Sequence, residues 1–217
     1  MSIRKHFLLY SLFLLTCSTS YCQKWDLKKD QEGVKVYTRD FSGSNVQEFK
    51  GEVTVKSNLG GILKLIDSVS EYPKWMYKCS CAERLKKINQ GSGYTYTVIT
   101  SPWPISDQDL ITYYNVTQDT NTKTVTISLV GVKDYLPAKS GKVRIPGMTG
   151  FWQLIPIAKG VTKVVYQVHC ESGGILPADV VNAYITDTPY YVLLNLRALV
   201  ESPQYPKFVV KNVKELY

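Results

Sequence analysis

Gly173-Gly174-Ile175-Leu176-Pro177 leads into Ala178-Asp179-Val180-Val181-Asn182-Ala183-Tyr184-Ile185, and the run closes at Leu196-Arg197-Ala198-Leu199-Val200. Apolar or small residues recur at Val181, Ile185, Thr188, Val192, Leu196 and Leu199, steps of three and four that mark a helical stripe. The glycine pair permits a sharp turn before the helix, and Pro177 suits its first turn. Pro189 lies within the run and predicts a bend or a division. Nearly everything upstream alternates as strand does. One long helix after a run of strands predicts a sheet wrapped around that helix.

The upstream strands follow from period-two alternation between turn residues. They cover Val34–Arg39, Gln47–Val55, Ala82–Ile88, Gly93–Thr100, Asp109–Thr117, Lys123–Val130, Lys142–Ile157 and Lys163–Glu171. Together they predict an antiparallel meander. Two helical pieces interrupt it. Trp25 to Asp30 reads as a short helix or lead-in. Ser57-Asn58-Leu59 reads as the cap of a helix running to Asp67, which ends at Tyr72-Pro73-Lys74-Trp75. Pro203 and Pro206 stop the last helix, and the basic tail from Lys207 to Tyr217 is expected to fray or to pack outside. Neither repeats nor a second domain stand out.

Residues 1–22 read as a secretory signal: Arg4 and Lys5, an apolar Phe7–Leu15, then Ser20-Tyr21-Cys22 before Gln23. The apolar run is too short to span a membrane. Cleavage after Cys22 is the preferred reading. Leu14-Leu15-Thr16-Cys17 is the alternative, a lipoprotein box with Cys17 acylated, although Thr16 fits it poorly. Loss of the segment removes two cations and no acids, so the net charge falls from +8 to +6. An exported basic chain suits an anionic membrane surface. The cations are scattered and follow no nucleic-acid motif.

The chemistry offered is sparse. Cys79, Cys81 and Cys170 remain after cleavage, with Cys79 and Cys81 expected on one face of a strand. With His169 they make only a weak zinc pattern. His169 and Glu171 share one strand face and Cys170 takes the other, so no Cys–His pair forms locally. Gly91-Ser92-Gly93 is a hairpin turn rather than a phosphate cradle. Asp107 and Asp109 share strand parity, and solvated or ion-paired acids are the simpler reading. No catalytic group, metal or cofactor is expected.

Arg144, between Val143 and Ile145 on an otherwise apolar strand, needs a carboxylate or a ligand oxygen if buried. Asn182, on the apolar helix, is a second candidate for a polar ligand contact. Tyr96, Trp103, Trp152, Leu154, Tyr166, Val168 and Ile185 are candidates for the wall of a cavity between sheet and helix. Pocket wall and core packing use the same residue types, so each also reads as core.

The order of several motifs resembles the START lipid-transfer family. Asp26-Leu27 with Gly33-Val34-Lys35-Val36-Tyr37 is similar to its opening, and Pro73-Lys74-Trp75 follows a helix as it does there. Ser101-Pro102-Trp103-Pro104-Ile105-Ser106-Asp107-Gln108-Asp109 resembles its proline-tryptophan-proline segment before an arginine–aspartate pair. Gly141-Lys142-Val143-Arg144 and Gly150-Phe151-Trp152-Gln153-Leu154-Ile155-Pro156 are similar to the halves of its long hairpin. Tyr166, then Gly173 to Pro177 and Asn182, matches the approach to its last helix. The resemblance spans Trp25 to about Phe208. Gln108 departs from the arginine of the pair, and Glu171-Ser172 from an aspartate–proline, so the family's ion pair is absent or Arg144 partners Asp107 or Asp109.

The resemblance implies an α+β helix-grip fold: a curved antiparallel sheet around a long C-terminal helix, with an internal cavity. It implies a domain over 23–208 with a tail at 209–217, and a monomer that binds one lipid, sterol or other hydrophobic molecule as a carrier. Loops 101–107 and 171–177 would act as lids at a transiently contacted membrane. Related helix-grip cyclases and hydrolases make an enzyme acting on a hydrophobic substrate the first alternative. A membrane-anchored interaction module is the second.

Overall fold

Alternation builds the N-terminal part of the sheet. In Val34–Phe41 (β2), Val34, Val36 and Thr38 are buried while Lys35 is exposed, as a strand with one face on a core requires. It pairs antiparallel with Ser44–Val55 (β3) on one edge and with Asp26–Gln31 (β1) on the other. The structure, a computed structural model, describes residues 24–101, 103, 105–173, 177–205, 208–210 and 213–216. The helix or lead-in expected at 25–30 is therefore a strand. The segment has no apolar stripe to hold a helix to the core, and backbone pairing across a two-residue turn holds it instead. Glu32 and Gly33, with φ of 51° and 70°, supply the two positive angles such a hairpin needs.

The remaining strands are Cys79–Lys87 (β4), Ser92–Ile99 (β5), Gln108–Gln118 (β6), Val125–Gly131 (β7), Val143–Arg144 (β8), Met148–Ala158 (β9) and Val161–Cys170 (β10). They form one curved sheet ordered β1-β2-β3-β10-β9-β7-β6-β5-β4, with the short β8 lying parallel beside β6. The expected plain meander is broken at one place, because β10 crosses back to pair with β3. The single strand expected over 142–157 is also broken, between Arg144 and Met148. Pro146 there offers no N–H to a ladder.

Helix α1 (Leu59–Asp67) starts where expected: Asn58 caps it, its Oδ1 accepting from the Gly61 N–H at 3.1 Å. A short 3-10 turn, Val69–Lys74, follows. The C-terminal stretch forms two helices, α2 (Ala178–Tyr184) and α3 (Asp187–Val200). Pro189 sits in the first turn of α3, where its missing N–H costs nothing. Helix α3 buries Tyr190, Val192, Leu193, Leu196 and Val200 against the sheet. It packs tightly over Gly51 of β3, where a Cβ would stand 2.6 Å from the Leu193 side chain and 3.0 Å from the Pro189 Cβ, so a larger residue would push on α3.

Cys79 and Cys81 do not share a face. A bulge sets Cys79 opposite Ile99 and Cys81 opposite Val98, so the two point to opposite sides. Both thiols and that of Cys170 are free. The tail packs rather than frays. The Phe208 carbonyl accepts from Asn58 at 3.1 Å, and the Glu215 carboxylate accepts from the Leu59 and Gly60 N–H groups at 3.2 and 3.0 Å. Among the described residues no helix is long and apolar enough to cross a membrane. The expected signal segment lies outside the described residues.

Candidate functional site

Two aromatic residues divide the space inside the sheet. Trp152 of β9 and Tyr166 of β10 are directly paired across the strands and point inward. Their rings stack with centroids 3.9 Å apart. Trp75 reaches Trp152 from the other side, and Tyr72 meets Trp75 edge to face. Beyond this plug, toward α1, only about 60 Å³ remains between Leu63, Tyr72, Tyr114 and Trp152.

Toward α2 the interior opens. The next inward pair, Val168 and Gly150, carries far less bulk. A pocket of about 470 Å³ lies here, with the Tyr166 ring at its inner end. The sheet contributes Phe49, Leu110, Met148 and Val168. Helix α2 and the residues after it contribute Val181, Tyr184, Ile185 and Thr188. The loop between β5 and β6 contributes Ser101 and Ile105. Cys170 also lines it, with a thiol that burial pushes up to about 12, so it stays protonated at neutral pH.

Of the side chains singled out in the sequence, Tyr166, Val168 and Ile185 line this pocket. Trp152 backs it through its stack on Tyr166, and Leu154 is fully buried one inward position further along β9. Asn182 does not line it. Its side chain accepts from the Gln47 N–H and donates to the Asn45 carbonyl, both at 2.9 Å, tying α2 to the start of β3. Trp103 is 93% exposed, in the same loop as Ser101 and Ile105.

Tyr96 and Arg144 lie elsewhere, under the loop 132–137. Tyr96 belongs to a small separate apolar cluster with Val98 and Ile111, packed by Tyr135 and Leu136. Arg144 grips Asp109 with two parallel bonds, Nε to Oδ1 at 2.7 Å and Nη2 to Oδ2 at 3.0 Å. It also donates to the carbonyls of Lys133, Leu136 and Pro137. The carboxylate named as one of its two candidate partners is thus Asp109. Asp107 instead accepts from the Ser101 N–H at 3.1 Å and from Lys142 at 3.4 Å. Burial alone would raise Asp109, and the Arg144 bonds and charge reverse this, leaving it below the usual carboxylate range. The Tyr96 hydroxyl, buried beside that carboxylate but outside hydrogen-bonding geometry, is pushed up to about 12, by burial first and the carboxylate second.

Gln108, standing where the resemblance led one to expect arginine, donates to the Gly173 carbonyl at 3.3 Å and so holds the loop before α2 against β6. His169 turns away from the pocket. It is buried under Phe41, which stacks on it at 3.6 Å, and its Nε2 meets Glu171 Oε1 at 2.9 Å. Among the described residues no group of three His, Cys, Asp or Glu side chains is placed to hold a metal ion.

Several lining residues escaped sequence reading. Val180 and Tyr184 fall off the helical stripe, yet both line the pocket while staying exposed. Lys78 lines it too, and no linear pattern marks it.

No family model matches the chain. It is 34% identical over 179 residues to an uncharacterised protein of Pseudomonas aeruginosa, covering 82% of this chain and 88% of that one. Among solved structures, a STAR-related lipid transfer protein from Xanthomonas axonopodis superposes with a TM-score of 0.77 at 34% identity, covering 82% of this chain and 99% of that one. Human StAR-related lipid transfer protein 5 superposes with a TM-score of 0.72 at 21% identity, covering 82% and 86%.

Proposed function

Because the chain belongs to the StAR-related lipid transfer (START) family, we propose that it is a carrier that holds one hydrophobic molecule in the pocket between the sheet and α2. The observation that carries this reading is the 470 Å³ space itself, walled by Phe49, Leu110, Met148, Val168 and Ile185 on the open side of the Trp152–Tyr166 plug. Moving a chain from water into such a wall contributes about 0.8 kcal/mol per methylene. Binding can therefore be tight with few polar contacts.

The mouth supports exchange at a membrane. Trp103, Val180 and Tyr184 are large, exposed and gathered on the loop and helix that border the pocket. Aromatic side chains of this kind settle at the membrane–water interface. The basic, then apolar, N-terminal segment supports action outside the cytoplasm, with Cys17 as the point of attachment if the chain is acylated. Loss of membrane association in Cys17→Ala would identify the acylated form.

Binding rather than turnover is favoured by the pocket's chemistry. Its one thiol is protonated and His169 faces away. Native mass spectrometry of protein purified from its own source tests the reading. A discrete added mass, released by organic solvent as a lipid, is expected. A uniformly apo protein that also fails to take up any lipid from vesicles overturns it.

A further inference from the structure

Two observations limit what the pocket can hold, given the carrier reading above. The first is volume. Taking a methylene as about the size of a water molecule, roughly 30 Å³, the 470 Å³ has room for about 16 such groups. That is one long acyl chain. Two chains of that length exceed this volume.

The second is charge. Lys78 and Glu171 are the charged side chains among the described lining residues. Glu171 is half-exposed at the rim, and its Oε1 lies 2.9 Å from His169 Nε2. Lys78 makes no ion pair among the described residues; its ammonium lies 5.3 Å from the centre of the Tyr77 ring, and its exposure places it at the pocket's edge. Its backbone is unusual: φ is 56°, in the left-handed region that costs a non-glycine residue strain. The Lys78 carbonyl is held there by the Thr100 N–H at 2.8 Å and the Thr100 hydroxyl at 3.2 Å, and Thr100 lines the pocket as well. A glycine or asparagine would take this conformation more easily. Strain kept at a lysine beside a pocket points to its side chain.

We infer that the ligand is a single-chain lipid with an anionic head group, its chain inside the pocket and its head paired with Lys78 at the mouth. An uncompensated anion inside would face an apolar wall, whereas at the edge it meets water and an ammonium that no described carboxylate neutralises. The head is a carboxylate or a monoester phosphate, which share this recognition.

Competition with a fluorescent fatty-acid probe, on the full-length protein after delipidation, tests the assignment. Hexadecanoate, hexadecyl phosphate, hexadecan-1-ol and vesicles of dipalmitoyl phosphatidylcholine serve as competitors. Lys78→Asn removes the charge and keeps a residue that accepts left-handed backbone. It is expected to weaken the anions about fivefold, as an exposed pair lost at low salt does, and to leave the alcohol unchanged. Lys78→Arg is expected to restore the anions. Whichever anion loses more identifies the head group. Equal binding of anions and alcohol, no effect of Lys78→Asn, or equally tight uptake of the diacyl lipid overturns the inference while leaving the carrier reading intact. Failure of every competitor, the probe included, overturns the inference, and the carrier reading falls with it only if the protein from its own source is also apo and takes up no lipid from vesicles.

Discussion

Arg144 directs its guanidinium at Asp109 and at three carbonyls of the loop over the outer face, and this decides what its loss would do. Asp109 is 1% exposed and Arg144 11%. Removing one partner of a buried pair costs about 3–5 kcal/mol because the other charge is stranded. Arg144→Met is expected to lower urea stability by that amount and to make 132–137 sensitive to protease. The pH dependence has a defined sign. With Arg144 present, the Asp109 carboxyl is depressed, so its contribution is full above the unfolded value near pH 4 and fades as pH falls through the lower folded value. Without Arg144, burial alone raises it, and protonation then relieves the folded state. The gap between wild type and Arg144→Met should therefore shrink from pH 7 to pH 3, read from unfolding midpoints at each pH. Trp103 illustrates the opposite case, a large side chain with nothing to pack on. Trp103→Ala is expected to leave stability unchanged and to slow lipid transfer between vesicles about tenfold or more, given about 1.5–3 kcal/mol for burying a large apolar side chain.

At the scale of elements, α2 and α3 differ in what holds them. Helix α3 has six buried residues, whereas α2 has none and is tied down by the two Asn182 bonds to β3. An element with few buried contacts opens at low cost. Asn182→Ala loses two hydrogen bonds of about 1 kcal/mol each. It should speed ligand release about tenfold in stopped flow and raise amide exchange in 178–184 while α3 stays protected. At the opposite end, α1 is secured by the tail. A Cβ at Gly60 would stand 2.4 Å from the Phe208 carbonyl, and Glu215 places its charge at the helix N-terminus. Truncation after Phe208 should cost about 1–2 kcal/mol, measured by thermal unfolding, with ligand affinity unchanged, because the pocket lies beyond the aromatic plug.

The whole molecule grips one helix with a sheet whose two halves meet at β10 and β3. A ligand seated between sheet and α2 bridges parts distant in sequence, so it binds the folded chain and not the unfolded one. At a free concentration of 100 times its Kd it should add about 2.7 kcal/mol, or about 5–10 °C in Tm for a domain of this size. Scanning calorimetry of delipidated and reloaded protein checks this, and an unchanged Tm at saturation would count against an interior site. The N-terminal hairpin matters at this scale too, since β3 carries both Gly51 under α3 and the Asn182 anchor.

Local rules fixed much of this in the linear chain. The 3.6-residue stripe announced the gripped helix, and Pro189 announced its division, because a missing N–H constrains a helix wherever it sits. Alternation located β2, β3, β5, β6, β7 and β10, and Asn58 marked the start of α1. Tyr166, Val168 and Ile185 were legible as inward-facing, since strand and helix periods determine which side a residue takes. The polar edge strand β1 was not legible, because backbone pairing with β2 rather than side-chain pattern creates it. Nor could pattern tell a plug from a wall. Trp152 fills space and Val168 borders it only because cross-strand register stacks Trp152 on Tyr166. Arg144 reads alike with or without Asp109 beside it, and Lys78 shows nothing in the sequence of its left-handed backbone or its place at the pocket mouth. Side-chain facing is set by neighbours along the chain, whereas room for a ligand and the partner of a charge are set by residues brought together from afar.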